Sequence, residues 1–459
     1  MASFWWMLAT NPVTLLVIEG LHVAVMTGFT SPDSFWRLAT LPFQFWLIWV
    51  GIKAEHALHY SQMITGMVTG IAMTYPMDYI GRVLLQKWSY EVGGPAQTFR
   101  PSVTAVAPEH KTNGHASHHN GSATTNGGAK HANGKVKQAN GTTTKKGQVA
   151  LPGSFWAKLA FGIDVATSRR HLNRPSEVKN CPHFSEKDHA YTPSCRKFIL
   201  SSIATIIACY AFLDINDANA QSNRVPHELF SQDKIPFFSR LSDVTLEEFF
   251  VRLTVPVMIA ATAYCMLQIS YYGVAIVAVG LGVTGVEEWR PLFGSVFEIY
   301  SLRNFWGKFW HQMYRDLITD PAHVIAHDVL GLPARGLVTK YVKLLVAVLV
   351  SAFFHLLIDL GNGHTWSESQ AFYFYTVQAL GVMVEDAVVA LWTRCFGKPD
   401  PKSRLAGMQR HVGAVWLWAF MAWTVPSWMY LHIERRAAAV DKGPLMGMFS
   451  ISSWVLGKI

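Results

Sequence analysis

Charge is scarce in this chain. Only 15% of its 459 residues are Asp, Glu, Lys or Arg, against roughly 25% in soluble globular domains. So thin a charged coat excludes an ordinary water-soluble protein of this length. Cysteine is scarce as well. Cys181, Cys195, Cys209, Cys265 and Cys395 form no C-x-x-C pair, and an odd count at wide spacing excludes a disulfide scaffold or a cysteine metal cluster. There is no G-x-S-x-G elbow and no H-E-x-x-H helix, so neither a serine nucleophile motif nor a metal site is expected. The N-terminus lacks a Lys/Arg-rich start and a clear small-residue cleavage site. The first apolar stretch therefore reads as a membrane helix, not a removed signal peptide. The net charge is +9, but six lysines and no acidic residue fall within 111–150. Basicity confined to one such stretch does not form a nucleic-acid groove, and no nucleic-acid partner is expected.

What the chain has is apolar and aromatic. Half of it is hydrophobic, with Trp 17 and Phe 27, and aromatic enrichment suits many membrane–water interfaces. Apolar segments run over 13–28, 36–52, 63–77, 198–213, 250–280, 344–358, 372–391, 412–431 and 446–456. The run at 250–280 is too long for one typical span, so a division near Ser270–Gly273 is expected; Pro426 is expected to break 412–431. The count gives an all-α polytopic membrane protein with about 8–10 transmembrane helices. Glu19 and His22, inside the first segment, are expected to face the bundle interior, away from lipid.

Three regions follow. Residues 1–106 form N-terminal membrane helices. Residues 107–147 are rich in Asn, Gly, Ser, Thr, Lys and His and nearly free of large apolar residues, the signature of a disordered insert. Residues 148–459 form a membrane-embedded core. Lys and Arg cluster in 303–343 and 394–410 and are absent from 359–370, which places the first two groups on the cytosolic face. Gly280-Leu-Gly-Val-Thr-Gly285 matches G-x-G-x-x-G, but it closes an apolar helix and reads as a turn, since the nucleotide reading requires a βαβ unit.

Chemistry concentrates between Pro291 and Asp359. In Leu302–Arg315, Phe305, Trp306, Phe309 and Trp310 supply an aromatic surface, and Arg303, Lys308 and Arg315 supply cations. A continuous helix would put Asn304, His311 and Arg315 on one face. An amphipathic interfacial helix explains most of this segment but not His311. In Ser351-Ala-Phe-Phe-His355-Leu-Leu-Ile-Asp359 a histidine stands inside a membrane-grade run. Helical spacing places Ser351, His355 and Asp359 on one face, so that Asp359 orients the imidazole or else marks the membrane edge. An ionisable side chain in such a run is a functional candidate, and the competing reading is a histidine that only packs between helices. A buried base without a Ser or Cys nucleophile suits direct transfer: a hydroxyl gives up its proton and attacks an activated acyl carbon.

The blocks Pro291-Leu-Phe-Gly-Ser, Ser301-Leu-Arg-Asn-Phe-Trp-Gly-Lys-Phe-Trp-His311-Gln and Phe354-His355 resemble the wax synthase-like branch of the membrane-bound O-acyltransferases. Glu177-Val-Lys-Asn-Cys-Pro and the 372–385 segment, with Gln378-Ala-Leu-Gly, resemble it too. The resemblance covers roughly 150–430 in scattered blocks and is closest to fungal secondary-metabolite acetyltransferases. It implies a multi-span endoplasmic-reticulum enzyme that moves an acyl group, in that fungal group an acetyl, from acyl-CoA to a lipophilic alcohol such as a terpenoid. By this resemblance His355 is the catalytic base and His311 the second active-site position. Asn304, with His311, would hold the thioester carbonyl, Arg303, Lys308 and Arg315 would attract the coenzyme A phosphates, and Trp306 and Trp310 would shape the cofactor tunnel. Membrane lipids are the remaining partners. A wax ester synthase is the nearest alternative. A transporter is the alternative of another class, though no internal repeat is visible.

Overall fold

A computed structural model describes residues 11–58, 68–93, 153–174, 176–222 and 226–438, together with positions 451 and 455. The insert at 107–147 lies outside them, as does the candidate helix at 446–456 apart from those two positions. Among the described residues the chain is helical, without strands.

Helix α1 spans Pro12–Phe29. It starts where the Asn11 side chain accepts the Val13 amide at 2.9 Å, with proline in the first turn, a strong N-terminal signal. Helix α2 (Leu41–Leu58) and helix α3 (Phe155–Thr167) follow. The packing of α1 on α3 depends on glycine. A Cβ on Gly162 would lie 2.0 Å from the Ala24 carbonyl oxygen, and one on Gly28 2.4 Å from that of Lys158. Two backbones approach this closely only where side chains are absent.

Helices α4 (Cys195–Ser222), α5 (Leu246–Gly280), α7 (Leu337–Gly361) and α8 (Ala371–Phe396) are long and apolar enough to cross a membrane. Between α5 and α7 lies the short helix α6, Arg315–Val324, and the chain continues into α9, Arg404–Ala438. Val277 of α5 and Val388 and Leu391 of α8 are each at least 60% exposed. Apolar side chains on the outside of these helices have lipid as their natural solvent.

Four helices among the described residues are thus long and apolar enough to be spans, and the expected segments at 63–77 and 446–456 lie partly outside those residues. Helix α1 is short, and α9 carries Arg410 and His411 near its start and Glu434, Arg435 and Arg436 near its end. Two expected divisions are absent. Helix α5 runs unbroken through Ser270–Gly273, and α9 runs through Pro426. A proline inside a long, packed apolar helix is tolerated when neighbours satisfy the freed carbonyl. The G-x-G-x-x-G stretch does form the turn expected of it: α5 ends at Gly280, and Gly282 has φ +69°.

Helices α7, α8 and α9 enclose a core that contains Leu302, Ala352, Phe374, Val382, Leu417 and Phe420. Gly381 of α8 makes room for it, since a Cβ there would fall 2.5 Å from Phe420 and 2.7 Å from Leu302. Leu302, on the segment that resembles the acyltransferase motif, is thereby sealed into the bundle.

Candidate active site

The motif segment is not one helix. Leu302–Asn304 makes a single α-turn, Phe305–Phe309 widens into a π-turn, and Trp310 is extended at φ −61°, ψ 148°. The wide turn closes with the Trp310 amide on the Phe305 carbonyl at 2.8 Å; such turns often mark functional sites. The shared face expected for Asn304, His311 and Arg315 therefore does not exist. His311 stands in the turn before α6, where it is free to point inward.

The turn is held from four directions. Glu385 of α8 accepts the backbone amides of Leu302 at 2.6 Å and Arg303 at 3.1 Å, capping the α-turn. Its neighbour Asp386 accepts the Arg303 Nε at 2.8 Å. Gly294 donates its amide to the Phe309 carbonyl at 2.8 Å, and a Cβ on Gly294 would sit 2.2 Å from the Lys308 carbonyl oxygen. Pro291-Leu-Phe-Gly-Ser thus needs its glycine so that the motif turn can lie against it. The upstream block closes the ring: Asn180 donates to the Gly307 carbonyl at 2.7 Å, while Arg170 holds the Pro291 and Arg290 carbonyls, each at 2.7 Å.

Within this frame lies a cavity of about 2760 Å³, lined mainly by apolar and aromatic side chains. His311 and His355 both line it, as do Arg303, Asn304, Trp306, Lys308, Trp310 and Arg315. The fold thus brings to one cavity all eight candidate site residues, whereas Asp359 does not line it. Both histidines are enclosed by protein, and their remaining accessible surface faces the cavity.

The imidazole of His355 is fixed at both nitrogens. Nδ1 lies 2.8 Å from the Ser351 carbonyl, and Nε2 lies 3.0 Å from the Tyr375 hydroxyl. A carbonyl oxygen only accepts, so Nδ1 carries the hydrogen and Nε2 presents its lone pair to the tyrosine. Asp359 does not orient this ring. It accepts from Ser369 Oγ at 2.6 Å and Trp428 Nε1 at 2.9 Å, and it faces His432 at 3.2 Å. Trp428, which Asp359 holds, packs its indole edge-on against His355 with centroids 5.1 Å apart.

His311 is bounded by Phe293, Trp310 and Tyr314, with ring centroids at 5.9, 5.6 and 5.5 Å. Burial holds its pKa down to about 3, helped by the nearby His355 and Arg170. It is therefore a neutral imidazole at physiological pH. Its buried Nδ1 has no hydrogen-bond partner among the described residues. An unmatched buried polar atom at a cavity wall is costly unless something that binds there pairs with it.

The cations expected to meet the cofactor are already engaged. Arg303 faces Asp386, and Lys308 faces Glu298 at 3.0 Å. Arg315 donates to the Gly307 carbonyl at 3.0 Å and to Gln312. Asn304 donates to Glu298 at 2.9 Å, and Trp306 donates to Gln378 at 3.3 Å. Sequence reasoning missed Tyr375 and the Ser351 carbonyl. Tyr375 sits in an apolar run, and nothing local places it beside a histidine twenty positions earlier.

A bundle of apolar helices around a large, mainly apolar cavity, with two enclosed imidazoles in its wall, defines an integral membrane protein. Residues 289–377 match the membrane bound O-acyl transferase family. Over 308 residues the chain is 34% identical to the acetyltransferase aurG of Calcarisporium arbuscula, an alignment covering 66% of this chain and 71% of that one. It is 28% identical over 447 residues to the acetyltransferase fsoF of Humicola fuscoatra, with 92% and 96% covered. No solved structure matches. The chain belongs to the membrane bound O-acyl transferase family and is an acyl-CoA-dependent O-acyltransferase.

Proposed function

We propose that this enzyme transfers an acetyl group from acetyl-CoA to the hydroxyl of a lipophilic terpenoid or related secondary metabolite, in the endoplasmic-reticulum membrane. The observation that carries the reading is His355 at the cavity wall, with its Nδ1 hydrogen on the Ser351 carbonyl and its Nε2 lone pair on the Tyr375 hydroxyl. Two further points support the finer parts. The relatives just described are fungal acetyltransferases. The cavity of about 2760 Å³ also exceeds the roughly 300–1,000 Å³ of a typical single-ligand pocket, leaving space for a bulky alcohol beside the acyl donor.

Tyr375 is packed by Phe374 and Trp428, with centroids at 5.2 and 5.6 Å, and its ring is buried. Its hydroxyl, at the cavity wall, occupies the lone pair of His355 Nε2. The alcohol therefore gives its proton to the Tyr375 oxygen as the tyrosine passes its own to His355 Nε2. The alcohol oxygen attacks the thioester carbonyl, and His311, with Asn304, hydrogen-bonds the oxyanion that forms. The carbon–sulfur bond then breaks. The leaving thiolate recovers the proton from His355, giving ester and free coenzyme A. The charges of Arg303, Lys308 and Arg315 contribute a field at the cavity wall, and Trp306 and Trp310 shape the path of the donor arm.

The test is a transfer assay on the purified enzyme with acyl-CoAs of rising chain length, against terpenoid, sterol and fatty alcohols. Acetyl transfer to a cyclic lipophilic alcohol is the expected result. Selective transfer of long acyl chains to fatty alcohols would replace this reading with wax ester synthesis.

A further inference from the structure

Eight cationic side chains among the described residues line the cavity, and seven of them are already matched. Arg169, Arg174, Arg303, Lys308 and Lys340 each face a carboxylate. Arg170 and Arg315 are engaged by carbonyl oxygens and by the Tyr271 hydroxyl or Gln312 amide. Lys343 of α7 differs. Its Nζ lies 3.2 Å from His323 Nδ1 and 3.2 Å from His327 Nε2. The two imidazoles are 4.4 Å apart, brought together where α6 widens into the π-turn Ile325–Val329.

The protonation pattern at this cluster follows from one contact. His327 Nδ1 lies 2.9 Å from the Leu332 carbonyl and so carries its hydrogen. Its Nε2 then accepts from Lys343, and the ring is neutral. An ammonium has three donors, and two are used here on neutral lone pairs. The third donor and the full positive charge are left at the cavity wall. Asp320 and Asp328 are the nearest acidic groups in electrostatic reach of His323; Asp320 is turned to the Gln86 amide at 2.5 Å.

We propose that Lys343, with His323 and His327, binds the phosphate groups of the acyl donor's nucleotide. This rests on the reading of the cavity as an acyl-CoA site. Lys343, Ala347, Ser351 and His355 follow one another at four-residue intervals along the cavity. The twelve residues from Lys343 to His355 span ~18 Å of helix. That separation suits an extended pantetheine arm, with the thioester beside His355 and the phosphates beside Lys343. Lysine serves here as a point charge, a role it commonly has toward phosphate.

The same chemistry would also hold the phosphate of a lipid headgroup, and the experiment separates the two. The enzyme in nanodiscs of neutral lipid is assayed with acetyl-CoA and with S-acetyl-pantetheine, which has the same thioester and no nucleotide. The readout is the ratio of kcat/KM for the two donors, which general misfolding leaves unchanged. Lys343→Gln is expected to lower the preference for acetyl-CoA about tenfold, Lys343→Arg to restore most of it, and His323→Gln to shift it in the same direction as Lys343→Gln. A ratio in Lys343→Gln equal to that of wild type overturns the proposal. So does binding of anionic phospholipid that is weaker in Lys343→Gln than in wild type while the donor ratio is unchanged, since the site would then hold a headgroup and not the donor. Failure of the underlying reading would show separately, as absence of coenzyme A-dependent transfer by the wild type.

Discussion

The Tyr375 hydroxyl lies 3.0 Å from Nε2 of His355, on the face of the imidazole opposite the Ser351 carbonyl. The two residues come from different helices, α7 and α8. If the tyrosine is a relay, Tyr375→Phe should lower kcat by about 10²-fold, the lower end of the range for general acid–base catalysis. The donor KM should be unchanged. Steady-state assay with acetyl-CoA checks both. A kcat within threefold of wild type would mean that the alcohol meets His355 directly.

His355→Ala removes the proposed base. Loss of turnover by about 10³-fold is expected, at a protein level in membranes equal to that of wild type. Immunoblotting beside a microsomal transfer assay measures both quantities. Near-normal turnover would demote His355 to a packing role.

His311 is held neutral by burial, with a pKa of about 3. Protonation is thus confined to strongly acidic pH, and between roughly pH 5 and 9 its hydrogen-bonding state is constant. His311→Ala should cost about 10²-fold in kcat, as loss of an oxyanion donor does. The shape of the pH–rate profile over that range should not change. Disappearance of an ionisation from the variant's profile would show that His311 titrates as the working base.

Gly294 lies against the motif turn, where a Cβ would meet the Lys308 backbone oxygen at 2.2 Å. Backbone cannot yield as a flexible side chain does. Gly294→Ala should therefore displace the turn, destabilising the protein by about 1–3 kcal/mol and lowering activity with it. Gly381→Ala, whose new methyl meets only side chains, should be milder. Thermal unfolding of the two purified variants provides the comparison.

Asp316, on α6, is pushed up to about 6 by burial, with the charge of Asp320 adding to the effect. The folded protein thus holds this proton more tightly than the unfolded chain does. Stability is lost as pH rises from roughly 4 toward 6 and stays lost above that. The cost at neutral pH is up to about 3 kcal/mol. Asp316→Asn should raise Tm at pH 7.5 and lose most of that advantage by pH 4.5. An equal Tm difference at the two pH values would rule out ionisation of Asp316 as the cause.

Much of this protein was legible in its sequence. Low charge and long apolar runs require helices in lipid, because only a helix satisfies its own backbone there. An imidazole inside such a run marks chemistry, because an unpaired polar group there is costly. The motif blocks at 291–295, 301–312 and 354–355 carry the family resemblance. The shape of the motif segment was not legible: the spacing of Asn304, His311 and Arg315 suggested one face of one helix, while a π-turn and the extended Trp310 place His311 elsewhere. A π-turn has no strong local signature, since it is imposed by contacts from distant elements, here Glu385, Gly294 and Asn180. Charge partners were hidden for the same reason. Arg303 and Lys308 are cationic in any sequence, but only the folded chain shows that Asp386 and Glu298 occupy them and that two histidines leave the charge of Lys343 open. Residue type sets which groups can titrate, donate or dissolve in lipid. Which of them meet is decided by packing between segments far apart in the chain, and that decision placed Tyr375 on His355.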